Sequence, residues 1–166
     1  MSSKKEEVGA DALLASLIAS AYTLTDAHAC IRALADAVER SRFGAAAEDA
    51  ARAALPWGAA TMHALAGGED AHDTLTELAR RADALPVLVL YVPAALSAAG
   101  VERLGRWCRA NIDPSLMLSL HTDPAAAGGC IFAWQDHLHD FSLSYFLAKE
   151  RDAFSRVLAA HAPAVV

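Results

Sequence analysis

The sequence lacks the features that would assign it to a nucleic-acid-binding or membrane-spanning class. Lysine and arginine number 14 against 20 aspartates and glutamates, a formal net charge of −6, so the chain has no basic surface for phosphate backbones. No apolar run approaches the roughly 18 residues that a membrane helix needs. The first nine residues contain no hydrophobic signal core, and Glu6 and Glu7 argue against a transit peptide. We expect a cytoplasmic protein that reaches a membrane only through its partners.

Cysteine is also scarce, and glycine-rich phosphate loops are missing. Cys30, Cys108 and Cys130 are widely spaced and form no CxxC pair, which fits buried thiols in a reducing compartment and lacks the usual zinc signature. Gly67-Gly68 is followed by Glu69-Asp70, whose charges would repel a phosphate group. The sequence therefore predicts no cofactor.

The residues that are abundant predict a helical first half. Of 166 residues 55% are hydrophobic and 20% charged, enough apolar content for a core. The pattern predicts one helix over 10–22 and a second that Thr25 or Asp26 caps and that ends at Phe43-Gly44. Three more are predicted over 45–55, 57–65 and 70–84.

After Pro86 the pattern changes to alternating strands and helices. Strands are predicted over 86–92, 116–120, 130–134 and 137–141, with a helix over 97–111 after the first strand. The last two strands are close enough in sequence for an antiparallel hairpin through Gln135-Asp136. One final helix follows, with a single apolar face made of Leu143, Phe146, Leu147, Phe154, Val157 and Leu158.

These elements predict an α+β protein with a helical bundle followed by a small α/β domain. The bundle takes residues 10–85, and the α/β domain, with a short sheet and a C-terminal helix, takes 86–160. Residues 1–9 are expected to form a flexible N-terminus and 161–166 a tail. Trp57, Trp107 and Trp134 are assigned to the core in preference to an interface.

Two sets of side chains invite a chemical interpretation. His137 and His139 would share one face of a strand, and with His121 they suggest a metal site, but a solvent-facing hairpin explains them as well. Cys130 or Ser142 with a histidine suggests nucleophilic catalysis, yet the sequence contains no nucleophile elbow. We favour the structural interpretation of both sets and expect no enzyme activity.

One ordered motif resembles a known family. An apolar strand over 116–120 precedes Asp123; the pair Gly128-Gly129 then opens a strand, and Asp140-x-Ser142 leads into the last helix. This order and spacing resemble the C-terminal region of the delta subunit, or oligomycin-sensitivity-conferring protein, of F-type ATP synthases. The match is strongest over 86–158. The chain departs from the family pattern at Ala126, Cys130 and Phe141, and its first half is shorter and lacks the family's opening Tyr-Ala motif.

The motif residues also have a plain physical interpretation. Gly128 and Gly129 allow a backbone shape or a close approach that a Cβ atom would block. Asp140 and Ser142 stand where a side-chain oxygen can accept the free N–H groups of the last helix. Asp140 also suits the positive end of the helix dipole. We therefore expect these residues to stabilise the fold and to carry no chemistry.

The resemblance implies a non-catalytic stator subunit. Such a subunit joins the catalytic head to the peripheral stalk at the cytoplasmic face of the membrane and resists rotation during proton-driven ATP synthesis. Its helical part would hold the N-terminal segments of the α subunits, and its C-terminal part the C-terminal end of the b subunits. The candidate contacts are Leu13, Leu17, Ile31, Leu34, Leu143, Phe146, Leu147 and Phe154. The alternative is a small cytoplasmic adaptor or regulatory domain unrelated to ATP synthase.

Overall fold

The computed structural model describes residues 9–42, Trp57, Leu65 and residues 70–161. This part of the chain forms six α-helices and one four-stranded sheet, which confirms the predicted α+β class. The predicted helices over 45–55 and 57–65 lie outside the described residues except for Trp57 and Leu65. The elements are α1 (Ala10–Ser20), α2 (Leu24–Arg42), α3 (Ala71–Asp83), β1 (Val87–Val92), α4 (Ala98–Asn111), β2 (Met117–Thr122), a 3₁₀ turn (Pro124–Ala126), β3 (Ile131–Trp134), β4 (His137–Asp140), α5 (Leu143–Lys149) and α6 (Arg151–His161).

The chain divides into two compact units that are not consecutive in sequence. The first contains Met1–Val87 and Ala99–Leu118, and the second contains Leu88–Ala98 and Ser119–Val166. Nearly all of α4 therefore belongs with the N-terminal helices, and the chain passes from one unit to the other three times. The single boundary at residue 86 stays a prediction.

The core of the first unit lies between α1, α2 and α3. Their apolar residues recur at spacings of three and four, so each helix turns one stripe inward. Trp57 joins this core, and its indole N–H donates to the Leu13 carbonyl at 3.2 Å. Burying each large aliphatic side chain contributes about 1.5–3 kcal/mol. The best-buried members of the cluster are Leu13, Leu17, Ala27, Leu34, Leu78, Ala82 and Met117.

Thr23 caps the second helix. Its hydroxyl accepts the Asp26 backbone N–H at 3.0 Å and donates to the Asp26 carboxylate at 2.7 Å. The prediction that Thr25 or Asp26 is the cap was wrong, because the helix begins at Leu24 and places both residues within its first turn. Asp26 still stabilises this end, since a carboxylate favours the positive end of the helix dipole.

The sheet has the strand order β2-β1-β3-β4. Two backbone hydrogen bonds give the direction of β2 relative to β1: the Met117 N–H donates to the Pro86 carbonyl, and the Asp123 N–H donates to the Val92 carbonyl. The residue numbers rise together along the two strands, so β1 and β2 are parallel. Such a pair requires a crossover, which α4 supplies. β1 is antiparallel to β3, and β3 is antiparallel to β4 as the predicted hairpin.

The turn between β3 and β4 places two ordinary residues in the left-handed region. Gln135 has φ 48° and Asp136 φ 65°, the signs of a two-residue type I′ turn, which prefers Asn-Gly. Replacing Gln135-Asp136 by Asn-Gly is expected to raise the free energy of unfolding by about 1 kcal/mol, because it removes the steric cost of a Cβ at positive φ. Urea unfolding measures the change. Gln135→Ala alone should give no gain, and a gain there would contradict the turn assignment.

The predicted single C-terminal helix is two helices. α5 ends at Lys149 and α6 begins at Arg151, with Glu150 between them at φ −102° and ψ 21°. The prediction of one helix was therefore wrong. No glycine or proline marks the break, and Leu147 and Phe154 on its two sides are seven positions apart, which keeps them on one face of a continuous helix. The sequence pattern therefore predicts a single helix.

Candidate functional site

The family-like motif lies in the second unit, at the loop before β3. The Asp123 carboxylate accepts the Ala125 N–H at 2.9 Å and so begins the 3₁₀ turn. Ala126 in this turn is fully buried. The Gly129 N–H then donates to the Ala126 carbonyl at 3.1 Å, which folds the loop back into the start of β3.

Both motif glycines occupy positions that exclude a side chain. Gly128 has φ 74°, and a Cβ there would lie 2.8 Å from the Leu143 Cβ. A Cβ on Gly129 would lie 1.9 Å from the Phe141 carbonyl oxygen, far inside van der Waals contact. The glycine pair is therefore required for the close approach of this loop to the beginning of α5.

Asp140 and Ser142 build the beginning of α5. The Ser142 N–H donates to the Asp140 carboxylate at 2.8 Å, and the Tyr145 N–H donates to the Ser142 hydroxyl at 3.2 Å. Ser142 is completely buried and its hydroxyl also bonds the Ser144 hydroxyl at 2.8 Å. Ser142 is thus a helix cap, and its oxygen has no access to a substrate.

Removing the cap tests this role. Ser142→Ala is expected to lower the free energy of unfolding by about 1–2 kcal/mol, because the Tyr145 N–H loses its acceptor at a buried site. Urea unfolding of the purified protein measures the loss. Ser155→Ala, on the exposed side of α6, is the matched control and should leave the midpoint unchanged. Equal stability of the two variants would contradict the capping role.

Large exposed apolar side chains are concentrated in the second unit. Eight of the eleven found among the described residues lie between Leu138 and Val157. None of the α5 residues is buried, although α5 begins in the well-packed motif. The eight are Leu138, Phe141, Leu143, Tyr145, Phe146, Leu147, Phe154 and Val157; we call those from Phe141 onward the C-terminal apolar surface. Apolar groups gathered in this way mark interaction surfaces.

Aromatic rings in this unit form a continuous series. Phe132 stacks on His139 with 4.9 Å between ring centroids and on Phe141 with 5.7 Å. Phe141 contacts Phe146 at 6.4 Å, and Phe146 meets Tyr145 edge to face at 5.7 Å. Rigid, half-exposed aromatic side chains are typical anchors of protein interfaces because they bury a large area at small entropic cost.

The three histidines do not converge. His121 in β2 stacks on Tyr91 at 5.2 Å and bonds the Ser119 hydroxyl at 3.0 Å. β2 and β4 stand at opposite ends of the strand order, so His121 is separated from His137 and His139 by two strands. Within the described residues no three His, Cys, Asp or Glu side chains form a group that could hold a metal ion.

Cys30 and Cys108 have the surroundings of structural thiols. Burial raises the pKa of the Cys108 thiol above its ordinary value. Burial and, secondly, the nearby Asp26 carboxylate raise the pKa of Cys30. Because the thiolate is the nucleophile and the metal ligand, a raised pKa makes both groups less reactive.

The predicted N-terminal contacts are core residues. Leu13, Leu17, Ile31 and Leu34 are at most 8% exposed in the first unit and belong to its hydrophobic core. Their spacing on one helical face is explained by packing among α1, α2 and α3. Trp107, in contrast, was predicted to be a core residue and is 59% exposed, so that prediction was wrong.

Sequence reasoning missed Arg109, which joins several elements of the first unit. Its guanidinium donates to the carbonyls of Ile18, Ala21 and Leu116 and lies 4.6 Å above the centre of the Tyr22 ring. Burial lowers the pKa of this guanidinium, an effect that Tyr22 partly opposes. Its contacts on α1 lie about ninety positions away in sequence, so no local pattern indicates them.

Comparison with known proteins adds no relative. No family model matches the chain, and no curated protein matches it. In the described part of the chain no helix is both long and apolar enough to cross a bilayer. The function must therefore be inferred from the arrangement of this chain's own residues.

Proposed function

We propose that this protein is a non-catalytic stator subunit of a bacterial F-type ATP synthase, joining the catalytic head to the peripheral stalk. The observation that carries the proposal is the position of the C-terminal apolar surface. It begins at Phe141, within the Asp140-x-Ser142 part of the motif of Asp123, Gly128-Gly129, Asp140 and Ser142, which is the ordered set that resembles the delta family.

The contacts of the motif support this proposal. The Leu143 N–H donates to the Ala127 carbonyl at 3.1 Å, and Ser142 caps the same helix, so the beginning of α5 is fixed to the glycine loop. The remainder of α5 is exposed. A firmly held helix with an uncovered apolar side is suited to packing against a helix of another protein.

The proposed mechanism is mechanical. The C-terminal apolar surface binds the C-terminal end of the stalk's b subunits, and the first unit binds the N-terminal segments of the α subunits. A joint of this kind must cover on the order of 800 Å² on each partner to hold against torque, and two attachments on one chain strengthen each other. The chain is peripheral at the cytoplasmic face of the membrane, held there by these subunits, and it contributes attachment without a cofactor.

A small adaptor domain unrelated to ATP synthase remains the alternative function. The C-terminal apolar surface suits any protein-binding domain, and the spacing of the motif is what directs the proposal to the stator. The identity of the bound proteins separates the two functions.

A tagged pull-down from solubilised host membranes tests the proposal. Under conditions that keep the ATP synthase intact, the wild-type chain is expected to recover α, β and b subunits in constant proportion, identified by mass spectrometry. Phe146→Ser with Phe154→Ser should reduce that recovery about tenfold or more, because the C-terminal apolar surface loses two of its exposed aromatic side chains. Both side chains are close to half exposed, so the fold should be kept.

Trp107→Ser provides the matched control. It also removes an exposed aromatic side chain, but from α4 in the first unit, and recovery of the b subunits should be unchanged. Failure of the wild-type chain to recover any ATP synthase subunit would overturn the proposal. Recovery of a different constant set of proteins would instead establish the adaptor.

A further inference from the structure

β4 leaves one edge of the sheet open. It is the last strand in the order β2-β1-β3-β4, so among the described residues no strand pairs with its outer side. The other edge strand is partly covered, because the Leu118 N–H of β2 donates to the Tyr22 carbonyl and Thr23 forms a bridge with Leu118. An open strand edge presents backbone N–H and C=O groups that can pair with another strand.

The hairpin register identifies which backbone groups face outward. Phe132 is opposite His139, and the Phe141 N–H donates to the Cys130 carbonyl at 2.9 Å. Backbone groups alternate in direction along an antiparallel strand, so His137, His139 and Phe141 direct theirs toward β3. The backbone groups of Leu138 and Asp140 therefore point away from the sheet.

Apart from the short length of β4, four residues, the described part of the chain shows none of the usual protection of this edge. β4 contains no lysine and no proline, and its pairing with β3 is regular, without a bulge. Its single carboxylate, that of Asp140, accepts a hydrogen bond from the Ser142 N–H. After Asp140 the chain turns back toward the loop before β3, where Leu143 bonds Ala127. Leu138 is 68% exposed, an unusual apolar side chain for an open edge.

We propose that β4 pairs with β4 of a second copy of this chain, antiparallel and about a two-fold axis. Leu138 and Asp140 are the outward residues, so pairing Leu138 of each copy with Asp140 of the other uses all their backbone groups. This register gives about four main-chain hydrogen bonds. It places His139 opposite His139 of the second copy and His137 opposite Phe141 of the second copy.

The side chains fit this register. His139 already stacks on Phe132, so the two His139 rings would continue the aromatic series from one copy into the other. Leu138 and Phe141 both lose exposed apolar area. A pairing of four-residue strands covers less than the roughly 1,200–2,000 Å² of a stable interface, so the dimer is expected to be weak and concentration-dependent. This inference does not depend on the proposed function.

Cysteine cross-linking tests the register. In His139→Cys the two introduced residues would face each other as a non-hydrogen-bonded pair with Cα atoms about 4.5 Å apart, within the range of a disulfide. Mild oxidation of the full chain should therefore give about tenfold more covalent dimer than His137→Cys, whose introduced residues would be about 13 Å apart. His137→Cys combined with Phe141→Cys should cross-link again. The wild-type chain, with its three native cysteines, is the control for background disulfides.

Sedimentation of the reduced protein provides a second measurement. The wild-type chain should shift from monomer to dimer between about 10 µM and 1 mM. Leu138→Pro should abolish the shift, because it removes an outward N–H while keeping an apolar side chain and the bonds to β3. Cross-linking without preference for position 139, a wild-type chain that stays monomeric, or undiminished association of Leu138→Pro would each overturn the proposal.

Discussion

Replacing Arg109 by alanine is expected to lower the free energy of unfolding by about 3 kcal/mol. The substitution leaves the carbonyls of Ile18, Ala21 and Leu116 without their charged donor. Two of these carbonyls belong to the last turn of α1 and the residue after it, where helical partners are missing and a cation also favours the negative end of the helix dipole. The loss of contact with the Tyr22 ring adds to the effect.

Urea unfolding followed by circular dichroism measures this loss of stability. Two further variants serve as comparisons. Arg106→Ala removes an arginine from the same helix that forms an exposed ion pair with Glu102 at 2.8 Å, and it should cost no more than about 0.5 kcal/mol. Arg109→Lys keeps the charge but lacks the planar fork of donors, so it should recover less than half of the lost stability. A loss for Arg109→Ala as small as that for Arg106→Ala would refute the role assigned to Arg109.

Replacing Gly129 by alanine is expected to cost about 3 kcal/mol, near the upper end for overpacking. The added Cβ would meet the Phe141 carbonyl oxygen at 1.9 Å and the Ser142 Cα at 3.1 Å. Both are backbone atoms, which cannot rotate away as a flexible side chain can. The clash can therefore be removed only if the backbone of Phe141 and Ser142 shifts. Such a shift would disrupt the cap that Ser142 forms at the beginning of α5.

The matched control for this substitution is Gly9→Ala. A Cβ at Gly9 would have no atom within 4 Å, so this variant should unfold within about 0.5 kcal/mol of the wild type. Thermal unfolding measures both variants. Hydrogen exchange should show that Gly129→Ala weakens protection first at the amides of α5. Wild-type stability of Gly129→Ala would mean that the loop does not approach α5 as described.

The main elements could be predicted from the sequence because their signals are local. β-branched residues between prolines indicated β1, and apolar residues at spacings of three and four indicated α1 and α3. Gln135-Asp136 between two short predicted strands that are close in sequence indicates the hairpin. The motif residues could also be assigned to turns and caps, because glycine and short polar side chains act on the backbone within a few positions.

Other features could not be predicted, since they depend on residues distant in sequence. Leu13 and Trp107 both lie on helices with apolar stripes, yet the structure buries the first and exposes the second. Arg109 resembles any other helical arginine until α1 and β2 place three carbonyls around it. The break at Glu150 has no local signal either.

The sequence by itself determined the α+β class, the order of the elements and the backbone roles of Gly128-Gly129, Asp140 and Ser142. Only the tertiary structure decided which apolar side chains are covered, which strand edge is open and how the chain divides into two units. The physical reason is that conformational preferences act between near neighbours along the chain. Burial and exposure depend instead on which distant segments come together, and in this protein those contacts leave uncovered the surface on which its proposed function rests.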